Sequence, residues 1–162
     1  MYTKTITFKD LEDNDVTRTF YFNISKPELI KMRYQGKSLF DNKLKKIADE
    51  QDVEGMLDAI EYFIMKSYGE KDDDGISFVK TRNGESLAEK FKNTNAYDVL
   101  FEEFITDPKN ILLFIAGIMP KDMGDQMMSN INSRGGIDAL MTEAENKLRN
   151  GGNVNALISE VK

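Results

Sequence analysis

The chain has 162 residues, 40% of them hydrophobic and 31% charged, enough to enclose a core within one domain. Its formal net charge of −6 argues against non-specific nucleic-acid binding, which depends on a basic surface. With neither cysteine nor histidine, it has no disulfide, no thiolate metal site, no Ser-His-Asp or Cys-His nucleophile and no imidazole base.

The first 24 residues read as a β-hairpin. In "YTKTITF" the threonines at 3, 5 and 7 share one face, with Tyr2, Lys4, Ile6 and Phe8 on the other. "VTRTFYFNI" repeats the alternation, with Val16, Phe20, Phe22 and Ile24 opposite Thr17, Thr19, Tyr21 and Asn23. "DLEDNDV" supplies the turn without an Asn-Gly pair. Two strands alone are marginal, so their apolar face needs the helices that follow.

From there the period becomes helical. Ser25 and Glu28 make a capping box, with Pro27 in the first turn, and that helix ends near Gly36. Ser38 can cap a second helix carrying Leu39, Phe40, Leu44 and Ile47. Asp52 can cap a third, in which Val53, Met56, Leu57, Ile60, Phe63 and Ile64 recur at helical spacing and Gly69 is the stop. Residues 26–46 hold seven Lys or Arg against two acids, but no aromatics alternate with them as a stacking platform requires, so they read as a solvated helical face.

"SYGEKDDDGISFVK" at 67–80 raises the question of calcium. With Gly75 at the sixth loop position, Glu70, Asp72 and Asp74 fall at the first, third and fifth. The twelfth is then Thr81 instead of a bidentate glutamate, so the stretch reads as a polar turn. Ile76, Phe78 and Val79 follow it as an extended connection. Helices resume at about 85–93 and at 95–106, where Tyr97, Leu100, Phe101, Phe104 and Ile105 form a face. "TDPKN" starts another, with Asp107 as N-cap and Pro108 first inside. The run "ILLFIAGIM" that follows is apolar nearly all round, as a buried central helix is. Its nine residues fall well short of the about 20 that span a membrane.

At Pro120 the composition shifts. All 16 aromatics lie at or before Phe114, and five of the nine methionines lie between 119 and 141. "SRGG" and "NGGN" divide the rest into amphipathic pieces, one carrying Ile137, Leu140, Met141, Ala144 and Leu148, the last Val154, Leu157, Ile158 and Val161. These glycines lack the Walker spacing and its lysine, and read as helix stops. The expected fold is mainly α (α+β): a hairpin packed on a multi-helix bundle over 1–119, with a helical extension over 120–162.

Met119, Met123, Met127 and Met128 fall along one helical face. Thioethers adapt to varied apolar partners, so this stripe, with Ile137, Leu140 and Met141, is a candidate binding surface as well as candidate core. Among 28 acidic residues no spacing singles out a catalytic pair, and no cofactor motif is present, so no enzyme is expected. Met1-Tyr2-Thr3-Lys4 lacks the apolar run of a signal peptide, which together with the missing cysteines leads to an expected cytoplasmic location.

The ordered segments "TITFKDLEDNDVTRTFYFNISKPEL", "SYGEKDDDGISFVKT" and "TNAYDVLFEEFITDPKNILLFIAGIMPKD" resemble the tail assembly chaperones of long-tailed bacteriophages of Gram-positive hosts, over roughly residues 3–123. The resemblance implies a small, mainly helical, non-enzymatic protein without cofactors. It also implies binding to the tape-measure protein, solubilisation of its apolar helices and help in delivering tail-tube subunits, with the major tail protein as a further partner. The place implied is the cytoplasm of the infected cell, with the protein absent from the finished virion as is typical of that family. Two other classes stay open at this point: a structural tail or connector protein retained in the virion, and a small acidic inhibitor of a host factor. The modest charge, interspersed with lysine, weighs against the second. Exposed amphipathic helices also make self-association conceivable.

Overall fold

The computed structural model describes residues 1–34, 42–43, 46–47 and 53–149. The stop at Gly36, the cap at Asp52, the Ser38 helix apart from 42–43 and 46–47 (of which Ile47 is buried), and the piece carrying Val154, Leu157, Ile158 and Val161 lie outside the described residues.

The hairpin forms as its alternation requires. Strand β1 (Tyr2–Lys9) pairs antiparallel with β2 (Asp15–Phe22), Tyr2 opposite Phe22 and Lys9 opposite Asp15. On the outer face the threonines meet: Thr5 and Thr19 hydroxyls lie 3.0 Å apart, Thr7 and Thr17 2.9 Å apart. On the inner face Ile6, Phe22 and Ile24 are buried. Asp10 builds the turn by accepting the N–H groups of Glu12 and Asn14, each at 2.9 Å, which lets Asp13 adopt φ +63°.

Helix α1 (Lys26–Tyr34) starts on the expected capping box. The Ser25 N–H donates to Glu28 Oε2 at 2.8 Å, and the Glu28 N–H to Ser25 Oγ at 3.4 Å. Helix α2 (Val53–Ser67) buries Ala59, Ile60, Phe63 and Ile64.

The sheet then grows beyond the expected hairpin. Gly69 is a strand residue instead of a helix stop: α2 ends at Ser67, whose Oγ donates back to the Phe63 carbonyl at 2.6 Å. Strand β3 (Tyr68–Lys71) pairs with β2, and β4 (Phe78–Val79) with β3, giving an antiparallel sheet in the order β1-β2-β3-β4. The segment read as an extended connection is therefore an edge strand, too short in sequence to show alternation. Glycine is required at 69 because a Cβ there would sit 2.6 Å from the Val79 carbonyl oxygen. A second small hairpin, β5 (Thr81–Arg82) and β6 (Glu85–Ser86), turns at Asn83 and Gly84, both at positive φ. The Asn-Gly pair in "TRNGES" was its signal.

Helices α3 (Leu87–Lys92) and α4 (Asn95–Thr106) are N-capped by Ser86 and Thr94. Helix α5 (Pro108–Ile118) begins as expected, with Asp107 accepting the Lys109 N–H at 3.1 Å. Its burial is one-sided at one point: Ile111, Phe114, Ile115 and Ile118 are enclosed, whereas Leu113 is 44% exposed. Ile105 departs likewise from the expected α4 face and is 43% exposed. The core joins both layers through aromatic rings. Phe22 lies 5.3 Å from Phe114, 5.5 Å from Tyr68 and 5.9 Å from Phe91, and Tyr68 stacks on Phe91 at 4.3 Å. The Ile24 N–H donates to the Ile118 carbonyl at 2.7 Å, tying the hairpin's exit to the end of α5.

Candidate partner-binding surface

Beyond Pro120 the chain turns back on α5. The Pro120 carbonyl accepts the N–H groups of Met123 and Gly124, each at 2.9 Å, opening α6 (Lys121–Ser133). A Cβ at Gly124 would lie 2.2 Å from the Ala116 carbonyl oxygen, so this glycine sets how closely α6 can approach α5. At the other end Gly135 and Gly136 have φ of +99° and +89°, the left-handed turn that starts α7 (Gly136–Arg149). Two ion pairs tie these helices to the rest: Lys26 with Asp122 at 2.7 Å, and Lys109 with Asp138. Both are exposed, so they orient the helices more than they stabilise them.

The candidate side chains separate by depth. Met119 (4% exposed), Met127 (8%) and Leu140 (7%) are buried, together with Ile131. Met123, Met128 and Ile137 are half-buried, packed against that core at its rim. The side chain of Met141 lies outside the described residues. The helix period does not account for the division. Met123, Met127 and Ile131 form one i, i+4 row on α6, yet Met123 at its start is half-buried and the other two are buried, while Met119 caps α5 and so lies off the single helical face expected for it. Methionines thus occur at both depths, Met119 and Met127 in the floor and Met123 and Met128 at the rim, and thioether side chains adapt to varied apolar neighbours.

Leu113 and Ile105 add exposed aliphatic surface on α5 and α4 that the sequence reading assigned to the core. Leu113 belongs to a nearly continuous apolar run, where periodicity gives no sign of which flank stays open, and Ile105 lies at the edge of its helix's apolar face, beside Phe104.

The acidic turn spends its oxygens locally. Asp74 Oδ1 accepts the N–H groups of Ile76 and Ser77 at 2.8 and 2.7 Å, its Oδ2 accepts the Ser77 hydroxyl at 2.5 Å, and these bonds hold its carboxyl below the usual range. Arg82 approaches Glu70 at 3.5 Å and Asp72 at 3.7 Å. With Gly75 at φ +68°, this is the turn of the β3–β4 hairpin. Among the described residues no group of three or more acidic side chains is placed to hold a metal ion, and no described helix is long and apolar enough to cross a membrane.

A protein-family model described as phage tail assembly chaperone matches residues 1–159, which takes in α6 and α7 as well as the sheet and the earlier helices. Neither a curated protein nor a solved structure matches the chain.

Proposed function

The chain belongs to the phage tail assembly chaperone family, and from that premise we propose that it binds the tape-measure protein, keeps its apolar helices soluble and assists assembly of the tail tube, with the major tail protein as a second partner. It acts by binding, without chemistry or cofactor, in the cytoplasm of the infected cell, and leaves before the virion is complete. The observation that carries this reading is the match over 1–159, since it includes the methionine-rich helices as well as the hairpin core.

The mechanism is the capture of an amphipathic helix by an apolar surface. Met123, Met128 and Ile137 meet the partner first, because they are already half-exposed. Met119, Met127, Leu140 and Met141 join if α6 and α7 shift to admit it. A partner held in this way is removed from aggregation by mass action: the bound state is favoured in proportion to free chaperone over Kd. In this reading residues 120–162 are the capturing extension, and the hairpin and α1–α5 are its support.

Co-expression with the tape-measure protein, followed by solubility and pull-down assays, tests it. Wild type should bring that protein into the soluble fraction. The double variant M123D/I137D should fold, by circular dichroism, yet fail to do so. If wild type leaves the tape-measure protein insoluble, the reading falls, and detection of the chain in purified particles by mass spectrometry would assign it to the virion instead.

A further inference from the structure

Strand β1 is the outer strand of the four-stranded sheet, and half of its backbone groups face away from β2. Parity identifies which half. The Asp10 N–H donates to the Asn14 carbonyl at 3.0 Å, closing the ladder, so the pairs hydrogen-bonded to β2 are those of Phe8, Ile6, Lys4 and Tyr2. Thr3, Thr5 and Thr7 then form the closer, non-hydrogen-bonded pairs, consistent with the hydroxyl contacts to Thr19 and Thr17. Their N–H and C=O groups point outward. Lys9 has the same parity, and its carbonyl accepts from Asn95 Nδ2 of α4 at 2.7 Å. Among the described residues no backbone group pairs with the outward groups of Thr3, Thr5 and Thr7, and all three residues are exposed.

We propose that this edge pairs with the same edge of a second copy of the chain, antiparallel about a two-fold axis at Thr5. Thr5 faces the partner's Thr5, and Thr3 faces the partner's Thr7, so each outward group of the three threonines gains a bond. On the inner face Lys4 lies opposite Ile6 and Tyr2 opposite Phe8, an aromatic cross-strand pair. Neighbouring registers are worse. An axis at Lys4 sets two ammonium groups face to face, and an axis at Ile6 places Thr3 opposite Lys9, whose carbonyl Asn95 already holds, whereas the Thr5 axis leaves only the terminal Met1 opposite Lys9. Odd shifts set outward groups against inward ones.

The charges on β1 do not protect its edge in the way edge lysines usually do. Lys4 is paired with Glu103 at 2.6 Å and Lys9 with Asp15 at 2.9 Å. Asn95 and Glu103 lie eight residues apart on α4 and reach Lys9 and Lys4, so Val99, midway in that row, runs alongside β1. Val99 is 39% exposed, an aliphatic flank for an incoming strand. This pairing is independent of the tape-measure reading, because it needs no partner but the chain itself.

Sedimentation equilibrium of the purified full-length chain tests it. Wild type should be a dimer at micromolar concentration. T5P removes an outward N–H and none of the ladder to β2, and should raise the dimer Kd at least about tenfold. T5K places like charges directly opposite across the axis and should act in the same direction, with thermal unfolding of both monomers close to wild type. T5C, in a chain otherwise free of cysteine, should form a disulfide-linked dimer much faster than T17C on β2. A monomeric wild type, a dimer indifferent to both T5P and T5K, or equal cross-linking of T5C and T17C would overturn the proposal. So would a monomer whose edge instead takes a strand of the tape-measure protein in a T5P-sensitive manner.

Discussion

Phe22 is the residue on which both layers of the molecule meet. It ends β2, is fully buried, and has ring contacts with Tyr2, Tyr68, Phe91 and Phe114 from two other strands and two helices. Few neighbours could collapse into the space it fills, so Phe22→Ala should cost about 3–5 kcal/mol in urea unfolding. Its neighbour Tyr68 gives a pH signature. Burial, with Glu70 adding to it, pushes the Tyr68 phenol up to about 12, and Tyr97 likewise. A folded pKa above the unfolded value of about 10 means that the stabilisation is whole below about pH 10 and is lost as pH rises toward 12. Tyr68→Phe should flatten that alkaline loss, measured as Tm against pH, while costing little at neutral pH, since Tyr68 lends the core mainly its ring.

At the scale of elements, one lysine links three of them. Lys80, just after β4, donates to Glu28 Oε1 in the α1 capping box and to the Lys66 carbonyl at the end of α2, both at 2.7 Å. Burial alone would raise the Glu28 carboxyl, but the Lys80 ammonium and the Ser25 N–H more than offset it and hold it below the usual range. The stability this confers is therefore present above the ordinary glutamate value of about 4.3 and lost as pH falls through the lower folded value. Lys80→Met should shift the Glu28 titration upward, read by NMR, and move the acid-unfolding midpoint to higher pH. Partial exposure of both side chains keeps the gain modest at neutral pH.

At the scale of the whole molecule, the closeness of α5 and α6 decides how much apolar surface is offered to a partner. Gly124→Ala forces its Cβ against the Ala116 carbonyl, so α6 must move outward. The expected cost is about 1–3 kcal/mol, with hydrogen-exchange protection falling in α6 and α7 while β1, β2 and β3 keep theirs. If the buried Met127 and Leu140 serve capture as well as packing, this variant should also bind the tape-measure protein faster than wild type.

Local rules made much of this fold legible from the residues alone: the period-2 hairpin, the Ser25–Glu28 box, the Asp107-Pro108 start and the apolar α5 all depend on neighbours a few positions away. Phage tail assembly chaperone membership was legible too, because it rests on ordered segments. Tertiary structure decided the rest. Tyr68–Lys71 and Phe78–Val79 become strands only because the open edge of β2 stands beside them to take their hydrogen bonds, and Gly69 is needed only because Val79 comes so close. In the same way the methionine stripe has one spacing whether it faces a core or a partner. Which of its side chains lie at the floor and which at the rim was set by the approach of α6 to α5, a contact between chain segments that no local pattern encodes.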